Sequence, residues 1–191
     1  MSKNKILAIL ASPHFNGITA KMLDYTIEAL KRSGHQVTKI NLYNKNLLYC
    51  KGCRTCLDTG ICIINDDIIE ISYLLKEADI IIVATPVYWA NVPAILKNMF
   101  DRLLGVAMEE TNTFPKPRLT GKRYLLLTSC KTPFPFSWIY GQSRGLVRNI
   151  NEFFKTAGIK SCGKVICTNS IKKKELPKSL LRKIDKLINK I

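Results

Sequence analysis

The sequence predicts an α/β fold, a doubly wound five-stranded parallel sheet with helices on both faces. Three observations predict it. Five short apolar runs, rich in β-branched residues, alternate with five segments of helical periodicity along the 191 residues. The strongest run, Asp79 to Ala84, is apolar without alternation after its first residue, as a strand covered on both faces must be. A chain of this length that is 47% hydrophobic can bury one substantial core. No repeat, linker or composition shift divides residues 1–191, so the expectation is a single domain.

The elements follow in order. Lys5 to Ala11 reads as the first buried strand. Ser12 to Thr19 is a turn-rich loop, and from Thr19 a helical pattern with Met22, Leu23, Ile27 and Leu30 on one side runs to about Ser33, stopped by Gly34. Gln36 to Leu42 alternates and reads as the second strand. Residues 43–65 form a loop that carries four cysteines. Asp66 and Asp67 suit the start of a helix that runs to about Lys76. After the Asp79 to Ala84 strand, Thr85-Pro86-Val87-Tyr88-Trp89 turns the chain out of the sheet, because proline cannot continue a central strand.

A helix then opens near Pro93 and reaches about Leu104. Ile95, Leu96, Met99, Phe100 and Leu103 form its apolar stripe; Lys97, Asp101 and Arg102 fall largely off that stripe. Residues 105–122 are an excursion, Arg123 to Ser129 the fourth strand, and residues 130–141 a loop rich in proline and aromatics. Ser143 to Ala157 is a helix ended by Gly158. Gly163 to Thr168 is the fifth strand, and Leu176 to Ile191 an amphipathic last helix.

The formal charge of +16 raises nucleic-acid binding, but residues 171–191 alone hold eight Lys/Arg against two Asp/Glu. No zinc finger or basic motif interleaved with aromatics accompanies it, so a solvated basic surface that favours phosphorylated ligands is the better reading. No apolar run nears the roughly 20 residues of a membrane span, and the first residues lack a signal-peptide layout, so a cytoplasmic protein is expected.

Ligands of open α/β sheets bind outside the carboxyl ends of the strands. Three loops open there. The first, with Ser12, Asn16, Gly17, Ile18 and Thr19, is a polar Gly-containing loop ahead of a helix. Backbone N–H groups and the helix dipole can hold a phosphate at such a place. It is neither a Walker loop nor a GxGxxG fingerprint, and Ser and Thr there also serve as plain helix caps. The second, Pro86, Val87, Tyr88 and Trp89, offers aromatic walls that suit a flat conjugated ligand, or that simply close the core. The third follows Ser129. His14 reads as polar lining. A ligand with a phosphate and a flat ring system satisfies all three loops, and FMN is such a ligand.

Cys50, Cys53, Cys56 and Cys62 are spaced C-x2-C-x2-C-x5-C within thirteen residues. Three thiolates on a compact loop with a fourth nearby can ligate a [4Fe-4S] cluster. They can also hold no metal, close a tetrahedral zinc site or act as redox-active thiols. Cys130, Cys162 and Cys167 stand apart; the last two flank or occupy the fifth strand, where cysteine packs as a small hydrophobe.

Taken together, Ser12-Pro13 with Asn16 to Thr19, the four-cysteine loop with Asp66-Asp67, and Pro86 to Trp89 with Lys97, Phe100, Asp101 and Arg102 resemble the flavodoxin-like NAD(P)H-dependent FMN reductase family. The similarity is greatest to the branch containing iron–sulfur flavoproteins. It covers about residues 5–105, and more loosely the rest, where Cys130-Lys131-Thr132-Pro133 stands in place of the expected glycine-containing turn. The resemblance implies a flavodoxin-like fold, with the FMN phosphate gripped by Ser12, Asn16, Gly17, Ile18 and Thr19. It puts the ring system against Pro86, Val87, Tyr88 and Trp89, with Ser129 on the third side. It implies hydride transfer from NAD(P)H to FMN and on to a flavin, quinone or similar acceptor. No side-chain acid or base is required for that step, so no catalytic residue is assigned. The alternative it implies is an electron carrier between ferredoxin, a [4Fe-4S] cluster on the four cysteines, and FMN. A third reading is a non-catalytic basic binding protein on the same scaffold. A homodimer or homotetramer is expected, with the 105–122 and 130–141 segments at the contact.

Overall fold

The computed structural model describes residues 3–191. The main sheet holds five parallel strands: β1 (Lys5–Leu10), β2 (Gln36–Asn41), β3 (Ile80–Pro86), β6 (Arg123–Ser129) and β7 (Lys160–Cys167). They lie in the order β2-β1-β3-β6-β7. The chain steps outward from β1 to β2, then back past β1 to β3. The loops after β1 and β3 therefore diverge from a topological switch point, the place where open α/β sheets form a ligand crevice.

The helices follow from the periodicities. α1 (Ile18–Arg32) and α8 (Lys178–Ile188) cover one face; α3 (Ile68–Glu77), α4 (Ala94–Arg102) and α7 (Gln142–Thr156) cover the other. Strand residues alternate between two cores. Leu7, Ile9, Ile81, Val83 and Leu126 point to α3, α4 and α7; Ile6, Ala8, Leu10, Ile82 and Leu125 point to α1 and α8. Ile80 to Thr85 are wholly buried, and each Ile so buried contributes about 1.5–3 kcal/mol. On the α4–α7 side Phe100 stacks on Phe153 and Tyr124 on Phe154, both at 4.1 Å between ring centroids. Among the described residues, no helix is long and apolar enough to cross a membrane.

Two strand boundaries depart from expectation by more than one residue. β3 does not end at Ala84: Thr85 and Pro86 pair with Thr128 and Ser129. Proline gives up one ladder donor, but the Val87 amide donates to the Ser129 carbonyl at 2.9 Å and carries the pairing past it. β7 starts at Lys160 rather than Gly163, because a bulge at Tyr124/Leu125 absorbs the irregularity. Gly163 sits there at φ 138, and a Cβ on it would lie 2.7 Å from Leu187 Cδ2. The 105–122 excursion holds a short helix, α5 (Leu104–Ala107), and a two-stranded antiparallel pair, β4 (Met108–Glu109) with β5 (Lys116–Pro117). Two further short helices, α2 (Cys56–Thr59) and α6 (Phe136–Ile139), sit in the cysteine loop and the 130–141 loop.

Candidate functional site

The loop after β1 delivers a helix start that no side chain caps, with Gly17 the residue before α1. The amides of Ile18, Thr19 and Ala20 have no partner among the described residues, as the first turn of a helix leaves them. The first turn carries no acidic residue. The hydroxyls that sequence alone could read as caps are used otherwise. Ser12 Oγ accepts from the His14 amide at 3.2 Å. Thr19 Oγ1 and Ser129 Oγ share a buried hydrogen bond of 2.7 Å, which ties α1 to the end of β6. Gly17 also packs close to His14, where an added Cβ would lie 3.2 Å from the His14 Cβ.

The loop after β3 reverses within two residues. The Tyr88 amide donates to the Asn91 carbonyl and the Asn91 amide to the Tyr88 carbonyl, each at 2.9 Å. Trp89 and Ala90 between them both adopt positive φ, 51° and 58°. That is the backbone of a type I′ hairpin turn, which ordinarily selects Asn and Gly. The bulky Trp89 is therefore held in a conformation that costs a non-glycine residue about 1–3 kcal/mol. α7 buttresses the turn: a Cβ on Gly145 would lie 2.2 Å from the Ala90 carbonyl oxygen.

Between these loops lies a cavity of about 280 Å³, lined by Ser12, Gly17, Ile18, Thr19, Pro86, Val87, Tyr88 and Ser129. The topology thus gathers eight of the ten residues named as cofactor contacts. Asn16 and Trp89 are not among its lining residues; Asn16 is exposed, and Trp89 is fully so. Residues that sequence reasoning missed complete the walls: Lys131, Ser170, Ile171 and Lys173, with His14 at the near side. The loop after the last strand opens at the same sheet edge, but in the sequence its run Lys172-Lys173-Lys174 is only part of a basic tail.

The cysteine loop is organised by α4. Arg102, expected off the apolar stripe, is instead 1% exposed. All five of its N–H groups find acceptors: Asp66 at 2.8 and 2.9 Å, the Leu48 and Ile64 carbonyls, and Cys62 Sγ at 3.1 Å. Full satisfaction is what lets a guanidinium be buried. Burial works to raise the Asp66 carboxyl, but Arg102 and the amides of Ile68 and Leu48 outweigh it and hold the group below the ordinary carboxylate value. Asp66, rather than Asp67, accepts from the start of α3. One turn earlier, Asn98 takes the Cys50 amide and donates to the Leu47 and Leu48 carbonyls.

Cys50 and Cys53 are exposed, Cys56 and Cys62 half-buried. Two of the sulfurs face a donor. The Gly52 amide points at Cys50 Sγ at 3.4 Å, and Arg102 at Cys62. The Thr55 amide and hydroxyl hold Cys53 below the ordinary thiol value. Burial pushes Cys56 above the ordinary thiol value, more than the Gly105 amide draws it down. Those donors suit thiolates. Among the described residues no three Cys, His, Asp or Glu side chains are gathered as one metal ion requires. Of the two cysteines of the fifth strand, Cys167 is buried, as expected of a small hydrophobe, whereas Cys162 is only half-buried; Cys130 is buried as well.

Comparison with known proteins agrees with this fold. A family model described as a flavodoxin-like fold matches residues 4–188. An iron-sulfur flavoprotein of Archaeoglobus fulgidus is 43% identical over 100 residues, 52% of this chain and 46% of that protein. An iron-sulfur flavoprotein of Methanosarcina thermophila is 39% identical over 98 residues, 51% of each. The matches thus span about half the length of these curated relatives. Among solved structures, an FMN-dependent NADH-azoreductase of Bacillus anthracis in complex with FMN superposes with a TM-score of 0.75 at 18% identity, covering 98% of this chain and 96% of that one. At that identity the likeness speaks to the fold.

Proposed function

This chain belongs to the family of the flavodoxin-like fold, and we propose that it is an FMN-binding oxidoreductase moving electrons from NAD(P)H to a small acceptor such as a flavin or quinone. One observation carries the reading. A helix start with free amides and no carboxylate opens into the same cavity as Pro86, Val87 and Tyr88. That pairing of an anion cradle with an apolar wall fits a phosphorylated ring compound.

The fit assigns roles to the residues present. The amides of Ile18, Thr19 and Ala20 would bind the phosphate, with the Ser12 hydroxyl beside them. The Thr19–Ser129 hydrogen bond fixes the width of the crevice between α1 and β6. The cavity is smaller than the roughly 300–1,000 Å³ of ordinary ligand pockets. Tyr88, and beyond the cavity the exposed Trp89, would offer the ring system an aromatic wall. Bound FMN would supply hydride acceptance from the nicotinamide and release of the electrons to the acceptor. The chain places the ring, excludes water from its covered face and needs no proton-transferring side chain.

A second reading is that of an iron-sulfur flavoprotein exchanging electrons with ferredoxin. The donors that face the Cys50 and Cys62 sulfurs favour it. A homodimer or homotetramer fits either reading. Phe134, Phe136, Trp138 and Tyr140 are all exposed on the 130–141 loop, and a second copy covering them would close the outer side of the ring. Light scattering at micromolar concentration tests this; a monomer there overturns it.

Anaerobic purification, one ultraviolet–visible spectrum, and iron and sulfide assays decide between the readings. Stoichiometric FMN without iron, bleached by NAD(P)H, is expected for the oxidoreductase. About four iron and four sulfide per chain beside FMN would establish the electron carrier. Failure of the purified chain to bind FMN would overturn both.

A further inference from the structure

The segment between β7 and α8 brings a fixed cation to the same cavity. After Cys167 the chain passes through Asn169, left-handed at φ 53, and a turn over Ser170–Lys172. Two backbone bonds pin this strap to the loop after β6. The Asn169 amide donates to the Thr132 carbonyl at 3.3 Å, and the Ser170 amide to the Cys130 carbonyl at 3.0 Å. Lys173 then folds back and donates to the Thr168 and Asn169 carbonyls.

An ammonium has three donors and no acceptor. Two of those on Lys173 are taken by neutral carbonyls, so one N–H and the whole charge remain. Among the described residues no carboxylate pairs with it; Glu175, close in sequence, pairs with Lys21 at 2.8 Å. Lys173 lines the cavity together with Gly17, Ile18 and Thr19 at the start of α1. A tethered cation and a set of free helix-start amides therefore share one cavity although they come from opposite ends of the chain. Lys131 lines it too, but it is exposed and makes no hydrogen bond among the described residues, so solvent and salt screen it more.

We propose that Lys173 is a phosphate ligand of this site, and that it makes the site prefer the phosphorylated flavin to riboflavin. The proposal rests on the FMN reading above and extends it to the strap, which the sequence left unassigned. A charge-assisted hydrogen bond from a held ammonium acts on the phosphate and not on the ring. Its removal must therefore separate two ligands that differ only in the phosphate.

The test is a fluorescence-quenching titration of wild type, Lys173→Met and Lys173→Arg with FMN and with riboflavin. Lys173→Met is expected to weaken FMN about ten- to hundredfold and leave riboflavin within about twofold. Lys173→Arg is expected to recover most of the FMN affinity, which a strap weakened merely by mutation would not do. Equal losses for both ligands in Lys173→Met, or an unchanged FMN affinity, would overturn the proposal. Wild type that binds riboflavin and FMN equally would also overturn it while sparing the flavin reading. Wild type that binds neither would overturn the reading and the proposal together.

Discussion

The hydroxyl pair Thr19–Ser129 is small in energy and large in consequence. A neutral hydrogen bond contributes about 1 kcal/mol net, and orphaning one buried partner costs about 1–3 kcal/mol. Thr19→Val should therefore destabilise the protein by that larger amount, since Ser129 is only 8% exposed and loses its partner. Adding Ser129→Ala should return part of the loss. A double-mutant cycle by urea denaturation checks it; additive losses would mean the two hydroxyls act independently. The Asp66–Arg102 pair sits at the other extreme, with both side chains essentially inaccessible. Arg102→Met strands a buried carboxylate, and about 3–5 kcal/mol should go. The pH dependence follows from the depressed Asp66 carboxyl. Its contribution is complete above the unfolded value of about 3.9 and is lost as pH falls through the lower folded value. Asp66→Asn should then flatten the acid limb of the stability–pH curve, and an unchanged limb would show that other carboxylates govern it.

At the scale of elements, α4 serves two loops at once. It starts where the aromatic turn ends, and through Asn98 and Arg102 it holds the cysteine loop. The aromatic turn itself is over-determined by its surroundings. Replacing Trp89-Ala90 with Asn-Gly supplies the residues a type I′ turn prefers and should raise stability by about 1 kcal/mol. It should lower FMN affinity at the same time, because the ring loses its aromatic neighbour. Gly145→Ala should do the reverse for stability, costing about 1–3 kcal/mol, because the new methyl meets backbone rather than a yielding side chain. Urea midpoints for the two variants, moving in opposite directions, check the pair; movement in the same direction would remove the turn from the account. The strands and most helices were legible in the sequence because their signal is local and periodic: Asp79 to Ala84 and the Leu180, Ile184, Ile188 stripe can each be read without knowing their neighbours. That Ser12, Thr19, Pro86 and Tyr88 line one cavity was legible because strand-end loops converge by topology alone. Arg102 was not, since its partner Asp66 lies 36 residues away and a helical wheel shows only a charge beside a stripe. Lys173 was hidden within a lysine run, and only the strap's backbone bonds to Cys130 and Thr132 single it out.

For the whole molecule the dominant feature is charge. The formal net charge is +16, and most of the 30 Lys and Arg side chains stand outside the ion pairs of the described residues. Such a field cannot stabilise the fold, since like charges repel within the compact state; it acts on what approaches. Exposed pairs such as Lys97 with Asp101 contribute little, so they neither neutralise the field nor account for it. The reach of the field is set by salt, about 30 Å at 0.01 M and about 8 Å at 0.15 M ionic strength. An anionic acceptor is thus drawn in from several side-chain lengths at low salt and from about one at physiological salt. The reduced protein should therefore reoxidise with ferricyanide about tenfold faster or more at the lower ionic strength, while its rate with an uncharged quinone should change little. Stopped-flow traces for both acceptors across that range check the expectation. Parallel salt slopes for the two would show that the charge lies too far from the ring to steer its partners. In that case the basic surface, including the eight Lys/Arg of residues 171–191, would belong to solubility and not to electron exchange.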